Sequence, residues 1–282
     1  MTTFDTPDPI SVRIELATGD IHLTAGPRTD TVVEVRPSDG SSAADVKAAA
    51  DTKVDFSRGK LLIKGQPLRR SASVSRGGSV DVIIGLPEGS EVRGSGAWAT
   101  LRGEGPLGEC RFDVAEGDIR LGQAGPVRLS TSHGQIVVAR AGGPARIANG
   151  SGTIRVDRID GSASVSNDMG ETRIGEITGE LKLTGMNADF RVGRAHDDIE
   201  VKTSHGSVRI GEVARGLVSI TAASAEIEVG IREGTSAKLD VSTASGSVRN
   251  QLEGASGPKK TDEVVEVRAR TYGGDIVIRR SW

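Results

Sequence analysis

The sequence contains one cysteine, Cys110, in 282 residues. No intramolecular disulfide can form, and neither an oxidising compartment nor a cysteine-rich metal site is implied. Aromatic residues amount to only 2%, with two tryptophans and one tyrosine, so rows of stacking rings for sugars or bases are excluded. No sign of charge dominates either: 36 Lys and Arg against 38 Asp and Glu leave a net −2, which argues against a generally nucleic-acid-binding surface. The longest aliphatic runs are of the Val82-Ile83-Ile84 kind, far short of the ~20 residues of a membrane span. Met1–Pro9 has neither a basic region nor an apolar stretch, so it does not read as a signal peptide. These absences predict a soluble, cytoplasmic protein without a transmembrane segment. Phosphate-binding loops, nucleophile elbows, paired-histidine zinc motifs and calcium loops are also missing from the sequence.

What is present is a repeat. Gly117-Asp118-Ile119-Arg120-Leu121 recurs from Gly134, Gly152, Gly170, Ala188, Gly206 and Ala225, with start-to-start spacings of 17, 18, 18, 18, 18 and 19 residues. A second apolar pair precedes each later copy by seven and five residues, as in Val127/Leu129 and Val218/Ile220. Each period thus holds two short strands with apolar residues at every second position, separated by glycine-rich corners. A period of this length predicts an all-β, single-domain β-solenoid, of β-roll or β-helix type, with ~18-residue coils capped at both ends.

The flanks are less regular. Residues 1–93 read as an N-terminal β-rich cap, 94–251 as the repeats and 252–282 as a C-terminal β cap, all in one continuous domain. Ile10–Leu16 and Ile21–Leu23 around Gly19-Asp20 read as a hairpin. Ala43–Asp51 is the one convincing helix, with Ser41 and Ser42 as possible caps. Gln66–Gly78, which carries Arg69, Arg70 and Arg76, and Glu253–Asp262 read as loops. Trp98 is expected in the slot that Ile119 fills one coil later, closing the end of the core. Cys110 falls on an inward position and reads as a small buried hydrophobe.

Equivalent positions of stacked coils lie ~4.8 Å apart, so each repeat position becomes a column. The third residue after each repeat start forms an outward column containing Arg120, Arg155, Arg173, Arg191, Arg209 and Arg249, with Val137 and Glu228 interrupting it. The position two residues earlier carries Asp118, Glu171, Asp189 and Glu226 among polar residues. Such a surface can be a salt-bridged lattice or a basic stripe for a polyanion or an anionic lipid surface. His133 and His205 occupy the same corner slot four coils apart, ~19 Å at that spacing, too far to share a metal ion. Asn149, Asn167 and Asn187 lie at nearby corners, where left-handed backbone would suit asparagine. His196-Asp197-Asp198 reads as a solvated corner.

The units Gly117–Gly122 and Gly170–Gly175, together with Val80–Pro87, Glu212–Gly216 and Val264–Arg279, resemble the bacterial β-strand-repeat adhesin or Toastrack family, especially its soluble actinobacterial members. The resemblance covers nearly the whole chain. It implies a β-solenoid of unknown function without known catalytic residues, with some relatives tethered to membranes and associated with envelope-stress systems. The expected function is therefore a non-catalytic cytoplasmic scaffold that binds a protein partner, with no catalytic residue, metal or cofactor. An anionic-surface binder using the arginine column is the second reading, and a carbohydrate-active β-helix enzyme the third. A monomer or small closed oligomer is expected.

Overall fold

The computed structural model describes residues 1–65, 78–252 and 263–281. The loops expected at 66–78 and 253–262 lie outside these residues, apart from Gly78. Among the described residues there are 22 strands and one helix. The chain divides into two compact units, Met1–Gly142 and Gly143–Trp282.

The first unit opens with β1 (Thr2–Asp5), the long β2 (Ser11–Gly26) and β3 (Asp30–Pro37). Helix α1 (Ala43–Asp51) follows, then β4 (Lys53–Ser57), β5 (Lys60–Lys64) and β6 (Val80–Pro87). The repeats supply β7 (Glu91–Leu107), β8 (Cys110–Glu116), β9 (Ile119–Ala124), β10 (Val127–His133) and β11 (Ile136–Ala141). β2 pairs in parallel with β7 on one side and with β5 and β6 on the other. Beyond that first rung the direction reverses: β4 is antiparallel to β5, β3 to β6 and β1 to β3. Helix α1 sits where the composition expects it. The Ser42 hydroxyl accepts from the Asp45 amide at 3.3 Å, and the Asp45 carboxylate accepts from the Ser79 amide at 3.0 Å, which docks the helix start next to β6.

The second unit holds β12 (Ala145–Ser151), β13 (Ile154–Ile159), β14 (Ala163–Ile177), β15 (Leu181–Thr184) and β16 (Asn187–Ala195). Then come β17 (Ile199–Val213), β18 (Gly216–Ile231), β19 (Ser236–Ser245), β20 (Val248–Asn250), β21 (Val264–Gly273) and β22 (Ile276–Arg280). Parallel pairing runs from β12 and β13 through β14, β15 and β16 to β17 and β18. After β18 the order departs from the sequence. β21 lies between β18 and β19, and β22 between β18 and β20. The strands that close the sequence therefore sit one rung inside the stack.

The all-β class holds, but the expected open β-solenoid does not: the parallel strands close into an eight-stranded barrel. The physical reason lies at the corners. They were expected to break each coil into two short strands, yet the backbone stays extended through several of them. β7, β14, β17 and β18 run 17, 15, 15 and 16 residues, so each pairs in two ladders at once. A strand shared by two ladders joins their edges, and joined edges allow a sheet to close. Corner glycines make this passage possible. Gly170 has φ +126°, and a Cβ there would stand 2.0 Å from the Gly152 carbonyl oxygen of the preceding coil. The hairpin expected at Gly19 is corrected for the same reason: β2 runs through it without reversing.

Period-2 alternation places the core as expected. Ile154, Val156 and Val165 are buried, and in-register stacks such as Val165, Leu183, Val201 and Ile220 run through consecutive rungs. Trp98 is a correction. Leu101, not Trp98, is in register with Ile119, and the half-buried indole donates outward to Glu116 at 3.1 Å. The asparagine corners differ too. Arg58 is the one described non-glycine residue with positive φ, so Asn149 and Asn167 are not left-handed. They are buried, in register with each other, and turn their amides into the corner; Asn167 Nδ2 donates to Gly152 O at 3.3 Å and to Thr172 Oγ1 at 3.2 Å.

Candidate functional site: an arginine ladder over a glycine floor

In the second unit the outward column becomes a physical ladder. Arg155 is in register with Arg173, Arg173 with Arg191 and Arg191 with Arg209, which then faces Glu228. Four arginines therefore leave the backbone at successive ~4.8 Å strand spacings without an intervening residue. Each side chain is about half exposed. A hollow of about 400 Å³ runs along them, lined also by Asp157, Gly175, Gly193 and Gly211. The glycines form a floor because no side chain fits. A Cβ at Gly193 would lie 2.4 Å from Gly175 O, and one at Gly211 2.6 Å from Gly193 O. Close approach of successive coils at this column removes side chains next to the arginines and leaves a trough.

Neutralisation along the ladder is uneven. Arg155 pairs with Asp157 at 2.9 Å, and Arg173 with Glu171 at 2.7 Å. The Glu171 hydrogen bond and charge hold the Arg173 guanidinium above its ordinary pKa. Arg191 reaches the same Glu171 at 3.3 Å and thus shares a carboxylate already engaged by Arg173. Asp189, the acid of Arg191's own coil, faces elsewhere: it accepts from the Ser207 amide at 2.8 Å and the Ser207 hydroxyl at 2.7 Å. Arg209 has Glu226 and Glu228 only at 3.9 Å. Positive charge is therefore least compensated between Arg191 and Arg209.

The neighbouring outward column shows the opposite state. Arg158 pairs with Asp160 at 2.7 Å and with Glu176 at 2.8 Å, and Arg194 with Glu212 at 3.1 Å. His196, expected in a solvated corner, bonds Glu176 at 2.8 Å and is half-buried. That hydrogen bond, aided by the Arg158, His196 and Arg194 charges against the opposing effect of burial, holds Glu176 below its usual carboxylate range.

The remaining column residues do not join the run. Arg120, in the first unit, is in register with Arg102 and Val137 and bonds Asp118 at 2.9 Å and Gln135 at 3.3 Å. Arg249 is separated from Arg209 by Glu228 and Val277, because β22 intervenes, and it bonds Asp275 at 3.3 Å. The Asp118 and Asp275 carboxylates also accept backbone amides of the neighbouring coil, from Gln135 at 2.9 Å and Ser247 at 2.8 Å. An acid at this position thus stitches coils together as well as facing arginine, a dual role the sequence reading missed. The signal was present: Asp at this slot follows a glycine or alanine corner whose neighbouring coil has an amide free to donate.

Other candidate chemistry is sparse. A second hollow of about 480 Å³ in the first unit is lined by Glu15, Lys64, Asp113 and small residues such as Ala17, Gly96 and Ala115, with Lys64 paired to Glu15 at 3.8 Å. Cys110 is fully buried, and burial pushes its thiol up to about 12, far from a reactive thiolate. Among the described residues no group of three or more His, Cys, Asp or Glu side chains is placed to hold a metal ion, and no helix is long and apolar enough to cross a membrane.

No curated protein matches the chain. Among solved structures it is similar to the crystal structure of a putative cell adhesion protein from Clostridium sporogenes ATCC 15579, at 11% identity over 99% of this chain and 98% of that one, with a TM-score of 0.22. The family model for Toastrack DUF4097 matches residues 13–279. The family resemblance read from the glycine-start repeats is borne out, and the chain belongs to the Toastrack DUF4097 family, a family of unknown function.

Proposed function

We propose that this protein is a non-catalytic binding protein, a parallel-β frame that meets a partner through its regular outer columns. The observation that carries the reading is the in-register run Arg155, Arg173, Arg191 and Arg209 beside a trough with a backbone floor. Four stacked cations repel one another, and an arrangement of this kind serves recognition better than stability. The partner is accordingly an anionic surface or polymer, and an acidic face on another protein meets the same requirement. Tight corners and fully paired neighbouring columns support recognition by a preformed surface, which needs little reordering on contact. The experiment is co-sedimentation with vesicles containing anionic lipid, compared with neutral vesicles, across a salt series. Binding that weakens steeply with salt is expected. Equal binding to neutral vesicles, or none to either, overturns the anionic reading; affinity capture then tests the protein-partner scaffold.

A further inference from the structure

We propose that the step between Arg191 and Arg209 is a phosphoryl-binding site, made to hold one tetrahedral oxyanion between two guanidinium groups. This rests on the anionic-partner reading and narrows it to one place and one chemistry. Three observations converge there. First, the two arginines are register partners on adjacent rungs, so their side chains leave the backbone one strand spacing, ~4.8 Å, apart. Second, the local acids are diverted. Asp189 is held by the Ser207 amide and hydroxyl, Glu171 is shared with Arg173, and the nearest carboxylates to Arg209 stand at 3.9 Å. Third, both arginines line the same hollow of about 400 Å³, where Gly193 and Gly211 present backbone and no side chain projects beside the forks.

Geometry selects phosphate over carboxylate. A carboxylate presents two oxygens in one plane and satisfies one fork in bidentate fashion. Two forks on successive rungs offer donors at two heights, and a phosphoryl group carries at least three acceptor oxygens spread in three dimensions. A carboxylate can bridge two rungs, as Glu171 Oε1 does between Arg173 at 2.7 Å and Arg191 at 3.3 Å. It has only two oxygens in one plane, however, whereas a tetrahedral group can give each fork an oxygen of its own and keep a third for bridging. Nucleic-acid bases find no aromatic side chain in the trough lining, so the phosphoryl group itself is what the site reads.

The test uses the full chain and two probes, inorganic phosphate and tripolyphosphate, titrated at low ionic strength with acetate as the carboxylate control. Arginine Nε–Hε NMR signals report where binding occurs in the unmodified protein, independently of any variant. Shifts confined to Arg191, Arg209 and their neighbours are expected, with acetate at least about tenfold weaker than phosphate. Tighter binding of tripolyphosphate marks a phosphoryl chain as the source of the ligand, and equal binding marks the free ion; both uphold the site. The double variant R191Q/R209Q should lose at least about tenfold in phosphate affinity, while R120Q, outside the ladder, retains it. The double variant should melt no lower than the parent, because removing two poorly compensated like charges relieves repulsion. Equal loss in R120Q, shifts spread evenly over all arginines, or acetate binding as tight as phosphate overturns the proposal. Salt-sensitive vesicle binding that R191Q/R209Q leaves unchanged sinks this site alone and spares the broader anionic reading.

Discussion

The N-terminal ladders of the first unit and the C-terminal ladders of the second finish with different completeness. In each unit a strand from near one end of the chain lies one rung inside the last parallel rung. β2 lies between the end rung β5/β6 and β7, and β21/β22 lie between β18 and the end rung β19/β20. At the N-terminal end the outer rung is then covered by antiparallel strands, β4 on β5 and β3 on β6, with β1 beyond. Leu61 and Ile63 of that rung are fully buried, and the Phe4 and Phe56 rings pack at 4.9 Å. At the C-terminal end β19 pairs only with β21, and β20 only with β22, among the described residues. Leu239 and Val241 are half-buried there, and Val248 is exposed. Reversal of strand direction is what completes an end, since an antiparallel strand can return by a short connection where a parallel one needs a long crossover.

The largest effect that breaks this comparison comes from deleting Val264–Arg280. The segment is an interior rung, so its loss strands β19/β20 and bares β18. The second unit should lose its cooperative unfolding transition and self-associate in light scattering, whereas deleting Thr2–Asp5 should leave a monodisperse, cooperatively folding protein. A truncated chain as monodisperse and cooperative as its parent would contradict the interior placement.

Next in size is a pair of matched truncations in the two end rungs. Leu61→Ala should cost about 2–5 kcal/mol, because a fully buried side chain leaves a cavity. Leu239→Ala should cost less than about 1.5 kcal/mol, because its side chain is already half in water. Denaturant unfolding of both variants measures the difference, and equal costs would contradict the unequal burial of the two end rungs. Smaller again is the coupling between Phe4 and Phe56, where a double-mutant cycle should return about 0.5–1.5 kcal/mol.

The smallest effect is a pH dependence of the contacts between the two C-terminal rungs. Glu266 is held below its usual range by its hydrogen bonds to Arg268 and Lys238, and Asp275 by hydrogen bonds from Ser247, assisted by the Arg249 charge. Both carboxylates tie the outer rung to the inner one. A depressed folded pKa means the stabilisation is fully present above the unfolded value and is lost as pH falls through the folded value. Amide exchange in β19 and β20, corrected for intrinsic rates, should therefore quicken below about pH 4 while β5 and β6 hold steady. Parallel changes at both ends would assign the effect to general acid destabilisation.

Much of this was legible in the residue pattern. The 18-residue spacing located the inward slots, and Ile119, Ile136, Ile154, Phe190, Val208 and Ile227 are all buried there. Ala43–Asp51 was recognisable as a helix from its alanines and from Ser42. Closure of the sheet was not legible, because a glycine corner can either end a strand or carry an extended strand around it, and composition does not separate the two. Rung order at the ends was hidden for a related reason. Repeat-to-repeat pairing leaves a period, whereas pairing of Ser11 with Glu91 or Ser236 with Val264 leaves none. The arginine column could be found by counting residues. Its uneven neutralisation could not, since Asp118 and Asp189 occupy the same repeat slot and only one of them faces its arginine.

The tucked C-terminal strands also order events in time. A repeat protein emerging from a ribosome can normally dock each coil on the one before it. Here β19 and β20 have no rung to dock on until Val264–Arg280 has been synthesised and has settled against β18. Segments made earlier must wait for a segment made later, with a register offset of 28 residues in place of 18. The end rung is thus the last part of the second unit to assemble and the first to be left without a partner if translation stalls within the final strands. A chain arrested there would leave Leu239, Val241 and Val248 without the rung they pack on.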